Sequence, residues 1–141
     1  MPSAPQSPLS HALDRAGDRW TLLIVAALLE SGPMRFGELL EQVPGIAPNV
    51  LTQRLRQMER DTLVVSRPYS DRPPRFVYEL SSVGRELAGA LRLLAGWGAR
   101  NGEADTAVRH DACGTQLEAV WWCPACEQPV GDDLTDELHF A

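Results

Sequence analysis

The sequence of 141 residues has no lysine, no long apolar run and only three cysteines. Its longest apolar stretch, Leu22 to Leu29, has eight residues, whereas a helix that crosses a bilayer needs about 20. The segment from Met1 to Pro8 is polar, contains three prolines and lacks the apolar core of a secretory signal. We therefore expect a cytoplasmic protein without a membrane span.

Signatures of common catalytic sites are also missing. The sequence has no glycine-rich phosphate loop, no nucleophile elbow and no pair of carboxylates at a spacing suited to acid–base catalysis. A Cys-x-x-Cys pair near the C-terminus lacks the alternating strands and helices of a thioredoxin-like motif. The sequence therefore predicts a protein that is not an enzyme.

The negative charge is concentrated at the C-terminal end. The formal net charge is −6, but residues 1–100 hold twelve arginines against ten acidic residues, while residues 101–141 hold one against nine. The segment from Asn49 to Phe76 alone has six arginines and three acidic residues. Because ions screen exposed charges beyond about 10 Å, this local basic stretch decides whether the chain can contact a polyanion.

Helical periodicity predicts three helices before this basic stretch. The first runs from Leu9 to Ala16, and Asp18 then caps the second. The apolar stripe of the second helix consists of Trp20, Leu23, Ile24, Ala27 and Leu28. The third, shorter helix is marked by Phe36, Leu39, Leu40 and Val43.

A fourth helix, from Pro48 to about Asp61, follows the turn Pro44-Gly45 and completes a helix-turn-helix pattern. Its apolar stripe is Leu51, Leu55 and Met58, and its polar residues are Asn49, Thr52, Gln53, Arg56 and Arg60. A polar helix face of this kind can lie in the major groove, where Arg pairs with guanine and Asn or Gln with adenine. The competing interpretation is an ordinary solvated helix face.

Two strands, Leu63 to Tyr69 and Phe76 to Leu80, come next. Prolines disrupt a sheet ladder, so we expect residues 70–75 to form an extended loop with Arg72 and Arg75 near its ends. These arginines can contact the DNA backbone or the minor groove. Arg35, at the start of the third helix, can contact phosphate or be an ordinary surface side chain.

A long helix is predicted from about Ser82 to Ala99. It has two apolar faces, one formed by Leu87, Leu91 and Leu94 and the other by Ala90, Leu93 and Trp97. A single small domain needs only one such face, so the second is a candidate dimer surface. The space between dimerising helices can also host a small-molecule effector, which the sequence does not identify.

Four segments of the chain resemble HxlR-type winged-helix transcriptional regulators and follow the order of that family. They are GDRWTLLI (17–24), GPMRFGEL (32–39), PGIAPNVLTQRL (44–55) and PPRFVYEL (73–80). The resemblance covers about residues 9–100 and implies a homodimer that binds operator DNA, with residues 48–61 as recognition helix and 70–75 as wing. The chain departs from the family at Ala47, where Ser is frequent, and at Thr62, where Gly is usual.

The last part of the chain contains a second pattern, His110-x2-Cys113 followed by Cys123-x2-Cys126. Two such pairs on short turns can complete a tetrahedral, structural Zn²⁺ site with three thiolates and one imidazole. The arrangement resembles the paired knuckles of a zinc ribbon. The alternatives are a reversible disulfide between Cys123 and Cys126 in a thiol-based sensor, inert thiols, or a site in which Asp111 or His139 replaces the imidazole.

We therefore predict an α+β protein: a mainly helical winged helix-turn-helix domain at residues 9–102 and a small acidic zinc-ribbon-like tail at residues 103–141. Its predicted function is sequence-specific binding of double-stranded DNA on a pseudo-palindromic operator, as a homodimer formed through its terminal helices. The predicted DNA contacts are Arg35, Asn49, Thr52, Gln53, Arg56, Arg72 and Arg75. The alternatives are a thiol- or metal-responsive regulator and a winged helix that binds proteins instead of DNA.

Overall fold

A computed structural model describes residues 7–102 and 108–131. The helices are α1 (Pro8–Ala16), α2 (Arg19–Ser31), α3 (Phe36–Gln42), α4 (Pro48–Arg60), α5 (Ser82–Arg85) and α6 (Ala88–Asn101). The strands are β1 (Met34–Arg35), β2 (Val64–Asp71), β3 (Pro74–Leu80), β4 (Trp121–Cys123) and β5 (Gln128–Val130). None of the helices in these ranges is long and apolar enough to cross a membrane.

The described residues fall into two compact units that divide between Leu91 and Arg92, inside α6. The first unit holds α1 to α5 and a three-stranded sheet, and the second holds the β4–β5 hairpin. The domain bounds 9–102 and 103–141 stay a prediction. Residues 103–107 and 132–141 lie outside the described ranges, and His139 is among them.

The first two helices begin and end as the sequence predicts. Gly17 ends α1, and Asp18 Oδ1 accepts hydrogen bonds from the backbone N–H groups of Trp20 and Thr21, at 3.0 and 3.1 Å. The predicted stripe of α2 is wrong at Leu23, which is exposed, whereas Thr21 and Val25 are buried. The reason is that α2 packs against α3, α4, α5 and β3. Its buried surface is therefore wider than the predicted stripe and includes the side of the helix with Thr21 and Val25.

The helix-turn-helix pattern is confirmed by α3 and α4. Leu51, Leu55 and Met58 of α4 are buried with Leu39 of α3 in one apolar core. Pro48 stands at the first turn of α4, where its missing N–H costs nothing. A guanidinium N–H of Arg15 donates to the Asp61 carbonyl at the other end of the helix, satisfying a backbone acceptor that the helix leaves free.

The sheet has the antiparallel order β1-β3-β2. The predicted loop at residues 70–75 is too long, because the ladder continues to the pair Asp71–Pro74 and leaves only Arg72 and Pro73 at the tip. Pro74 is tolerated as the first residue of its strand, and Pro68 lies on the edge strand β2 next to a register shift. Strand β1 was not predicted, since two residues are too few to show a pattern.

The helix predicted from Ser82 to Ala99 is two helices, α5 and α6, with a break at residues 86–87. The Ser81 hydroxyl caps α5 by accepting from the Gly84 N–H at 3.0 Å. Gly84 lies so close to the chain just before β2 that a Cβ there would be 2.2 Å from the Leu63 carbonyl oxygen. The Ser81 N–H also donates to this carbonyl at 3.0 Å, and the chain restarts its helix at Ala88.

The α6 helix has no buried residue. Leu91 packs partly against the core, but Leu93, Leu94 and Trp97 are 45%, 53% and 59% exposed. Leu93 and Trp97 agree with the surplus face expected from the sequence, whereas Leu94 was expected on the other face with Leu87 and Leu91 and does not pack against the core as they do. A smaller apolar pair, Leu9 and Leu13, is exposed on α1.

Candidate nucleic-acid interface

One line of polar side chains runs along α4 on the side opposite to its buried residues. It consists of Asn49, Gln53, Arg56 and Arg60, all exposed. Their spacing of four, three and four residues keeps them on one face over about 16 Å of helix. We call this line the polar stripe. Arg60 was left out of the predicted contacts, although the helical period extends to it.

Thr52 lies beside the polar stripe and is only partly exposed. Its Oγ1 hydroxyl donates a hydrogen bond to the Pro48 carbonyl of its own helix, at 3.0 Å. The hydroxyl proton is therefore already used inside α4. The oxygen lone pairs and the methyl group remain available to a partner.

Arg54 is the arginine of α4 that packs against the body of the first unit. Its Nε atom is 3.3 Å from Asp18 Oδ1, the carboxylate that caps α2. Both side chains are only 36% exposed. This ion pair links α4 to the start of α2, while Arg56 and Arg60 lie on the outer side of the helix.

The other end of α4 is tied to the β2–β3 hairpin. The Ser66 hydroxyl of β2 donates to Glu59 Oε1, at 2.5 Å. Burial raises the pKa of the neighbouring Tyr78 hydroxyl, the Glu59 charge raises it further, and the Arg56 charge opposes both. Arg56 is thus close enough to the base of the hairpin to influence Tyr78 while its own side chain is exposed.

The hairpin presents two exposed arginines at its tip, Arg72 and Arg75. Farther down the hairpin, Arg67 pairs with Glu79 of the facing strand, so its charge is balanced within the protein. The net positive charge of the hairpin is therefore concentrated near the tip, where no described ion pair involves either Arg72 or Arg75.

Arg35 immediately precedes α3, as the sequence predicts, and it also belongs to the short strand β1, which was not predicted. Its backbone N–H donates to Glu38 Oε2 at 2.7 Å, while its guanidinium carbon lies 4.7 Å from the centre of the Tyr69 ring. Both Arg35 and Arg75 line an open cavity of about 600 Å³. Arg35 is thus held beside the hairpin with its charge exposed.

The first unit contains all seven predicted DNA contacts, and six of them are exposed; Thr52 is partly exposed. The solvent-facing positions of Gln53 and Arg56 leave the polar stripe accessible to a partner. The role of each of these residues in DNA binding stays a prediction.

In the second unit, His110 and Cys113 share a tight turn. The His110 N–H donates to the Thr115 carbonyl at 2.9 Å, and His110 Nδ1 is 3.3 Å from Cys113 Sγ. Hydrogen bonds from the hydroxyl and backbone of Thr115 lower the pKa of the Cys113 thiol.

Cys123 and Cys126 lie in the hairpin formed by β4 and β5, where Cys123 pairs with Gln128. Hydrogen bonds from the backbone of Cys126 and Ala125, and then from the Cys126 side chain, lower the pKa of the Cys123 thiol. Within residues 7–102 and 108–131, no three His, Cys, Asp or Glu side chains come together as a metal site. The four predicted metal ligands are therefore present as two separate pairs.

Known proteins match the part of the chain that carries the polar stripe and the hairpin. The family model of the HxlR-like helix-turn-helix matches residues 16–106. The HTH-type transcriptional regulator YtcD of Bacillus subtilis is 38% identical over 89 residues, which are 63% of this chain and 70% of YtcD. The HTH-type transcriptional regulator Rv3095 of Mycobacterium tuberculosis is 33% identical over 126 residues, covering 86% of this chain and 78% of Rv3095.

Among solved structures, the redox regulator HypR in its reduced form matches with a TM-score of 0.62 and 32% identity, covering 67% of this chain and 93% of HypR. These matches confirm the resemblance expected from the four sequence segments and the winged-helix fold of the first unit. They leave the metal ligands of the tail untested. The chain belongs to the HxlR-like helix-turn-helix family of DNA-binding transcriptional regulators.

Proposed function

We propose that the chain acts in the cytoplasm as a homodimer that binds a pseudo-palindromic operator. The polar stripe of α4 enters the major groove, and Thr52 contacts the same groove from the side. Arg35, Arg72 and Arg75 contact the phosphate backbone or the adjacent minor groove.

The observation that carries this proposal is the two-sided character of α4. Its buried residues fix the helix in the core, so the opposite side chains are presented on a rigid support. Arg56 can donate two parallel hydrogen bonds to a guanine, and Asn49 or Gln53 can pair with an adenine. These are the side-chain types that distinguish base pairs by their edges.

The hairpin supplies a different kind of contact. Phosphate contacts position a protein on the duplex but carry no sequence information. Arg72 and Arg75, exposed near the tip, are suited to this role because a guanidinium can bind a phosphate oxygen pair or enter a narrow minor groove.

Dimerisation is supported by the exposed apolar side chains of α6 and, separately, by those of α1. A two-fold dimer places its recognition helices about one turn of DNA apart, on the order of 34 Å, and reads a site with matching symmetry. A small-molecule effector bound between the dimerising helices would alter this spacing and release the operator.

The proposal is tested by selecting bound fragments from a random DNA library and then measuring affinities by fluorescence anisotropy. We expect a selected sequence with two-fold symmetry. Arg56→Ala should weaken binding to that sequence by about 1–3 kcal/mol and relax the preference at one position. Arg72→Ala should weaken selected and random DNA alike and reduce the slope of affinity against salt.

Equal losses on selected and random DNA for both variants would contradict base recognition by α4. A library from which no sequence is enriched would favour the alternative of a winged helix that binds proteins.

A second candidate function is regulation by thiol oxidation, favoured by the similarity to HypR, which is described as a redox regulator. Cys123 and Cys126 are free thiols three residues apart at the turn between β4 and β5. A peroxide would accept two electrons and two protons from them, forming one disulfide and water. Operator affinity measured before and after peroxide treatment tests this function, and a Cys123→Ser variant should abolish any change.

A further inference from the structure

We propose that the tail binds one structural zinc ion through His110, Cys113, Cys123 and Cys126. This site goes beyond the proposed function, since DNA recognition uses residues of the first unit only.

The first argument is that the tail forms the same turn twice. In each turn the two ligand residues are three positions apart, and the first of them pairs with the residue five positions later: His110 with Thr115, and Cys123 with Gln128. The residue after the second ligand has a positive φ in both turns, 69° at Gly114 and 51° at Glu127. Equivalent backbone positions thus carry His110 and Cys123, and likewise Cys113 and Cys126.

The second argument concerns the surroundings of the sulfur atoms. His110 Nδ1 and Thr115 Oγ1 lie 3.3 and 3.2 Å from Cys113 Sγ. The imidazole nitrogen and the sulfur of the first turn are therefore close enough to bind one metal ion together. Glu127 adopts a left-handed backbone conformation that is rare for residues other than glycine. The second turn therefore forms even though its backbone is strained at Glu127.

The third argument is that the described part of the tail has no core. None of residues 108–131 is buried, and Leu117, Val120, Trp121 and Trp122 are all more than half exposed. A unit of this size rarely folds on apolar burial alone and usually needs a metal or a disulfide. An odd number of cysteines leaves one thiol outside any disulfide, whereas a site of three thiolates and one imidazole uses all of them.

The tail is also part of what this chain shares with a relative. The match to Rv3095 covers 86% of this chain. Residues 1–102 make up less than three quarters of the 141 residues, so they cannot account for the whole match. The match therefore extends beyond the winged helix into the tail.

Three sulfurs and one imidazole nitrogen are the donor set that Zn²⁺ takes in closed, four-coordinate sites. Each pair is already formed, but the two pairs do not meet among the described residues. Zinc would therefore join the two hairpins, displacing three thiol protons to solvent. Four protein ligands leave no open position, so the ion braces the tail and takes no part in catalysis.

The test uses the full chain, purified under a phosphine reductant without added zinc and analysed by plasma mass spectrometry. We expect about one zinc per chain. Each of Cys113→Ser, Cys123→Ser and Cys126→Ser should lower this value at least fivefold, and His110→Ala should raise the dissociation constant at least tenfold. Thr115→Ser and Asp111→Asn serve as matched controls in the same turn and should keep one zinc.

Two further measurements do not depend on the variants. Replacement of zinc by Co²⁺ should give the visible absorption of tetrahedral thiolate ligation. The three thiols should react slowly with a disulfide reagent until a chelator is added. A zinc content near zero with three freely reactive thiols would overturn the proposal. Zinc that is lost in Cys123→Ser and Cys126→Ser but fully retained in Cys113→Ser and His110→Ala would also overturn it. So would zinc that is lost in Asp111→Asn and retained in His110→Ala.

Discussion

Arg54 Nε of α4 lies 3.3 Å from Asp18 Oδ1, the same oxygen that accepts two backbone N–H groups at the start of α2. One carboxylate therefore caps a core helix and positions the recognition helix of the helix-turn-helix. The Arg54 Nε atom is buried and makes no hydrogen bond among the described residues. Its charge is balanced through space by Asp18, so an ion pair links α4 to the start of α2.

Replacing Asp18 separates these two roles. Asp18→Ala removes both the cap and the ion pair and should lower the free energy of unfolding by about 1–2 kcal/mol. Asp18→Ser keeps an oxygen that can cap α2 and removes only the ion pair, which contributes less than about 1 kcal/mol at this exposure. Urea unfolding of both variants checks the difference. Equal destabilisation by Ala and Ser would show that the cap contributes little.

Thr62 offers a stabilising substitution just after α4. Its φ of 60° lies in the left-handed region, where a β-branched residue costs about 1–2 kcal/mol. Thr62→Gly should therefore raise the free energy of unfolding by about 0.5–1 kcal/mol, after the greater flexibility of glycine in the unfolded chain is included. A urea midpoint that stays the same or falls would contradict the assigned strain.

Glycine has opposite roles at two positions of the following helices. A Cβ at Gly84 would be 2.2 Å from the Leu63 carbonyl oxygen, whereas one at Gly89 meets nothing within 4 Å. Gly84→Ala should cost about 1–3 kcal/mol because the backbone must shift. Gly89→Ala should instead stabilise α6 by about 0.5–1 kcal/mol. Thermal unfolding of the pair is the measurement, and similar midpoints for the two variants would contradict the close approach at Gly84.

The sequence predicts well what depends on neighbours along the chain. The cap at Asp18, the proline start of α4 and its buried stripe are all local patterns, and the structure has them. The family resemblance correctly identified α4 and the hairpin because four segments agree in order and spacing.

Several of the errors depend on contacts between distant parts of the chain. The break between α5 and α6 follows the close approach of Gly84 to Leu63, and no spacing in the sequence indicates that approach. Strand β1 exists because Met34 and Arg35 pair with β3. The ion pair between Arg54 and Asp18 likewise joins residues far apart along the chain, and the sequence alone does not indicate it.

The apolar side chains of α6 lead to the last prediction, which concerns assembly. Leu94 is 53% exposed on α6, and burying a leucine in an interface contributes about 1.5–3 kcal/mol. In a two-fold dimer Leu94→Glu changes both copies, so the dimer dissociation constant should rise at least about 100-fold. Sedimentation equilibrium measures this change.

Leu117 provides the matched control, since it is 51% exposed in the tail and is not assigned to the dimer surface. Leu117→Glu adds the same charge to the chain and should change the dimer dissociation constant by no more than about twofold. That corresponds to a change in the free energy of association well below about 1 kcal/mol. A dimer that Leu94→Glu leaves intact would exclude α6 as the interface. In that case Leu13→Glu on α1 should be the variant that separates the protomers. The reason is that α1 exposes Leu9 and Leu13, and no other described helix of the first unit presents such an apolar pair to solvent.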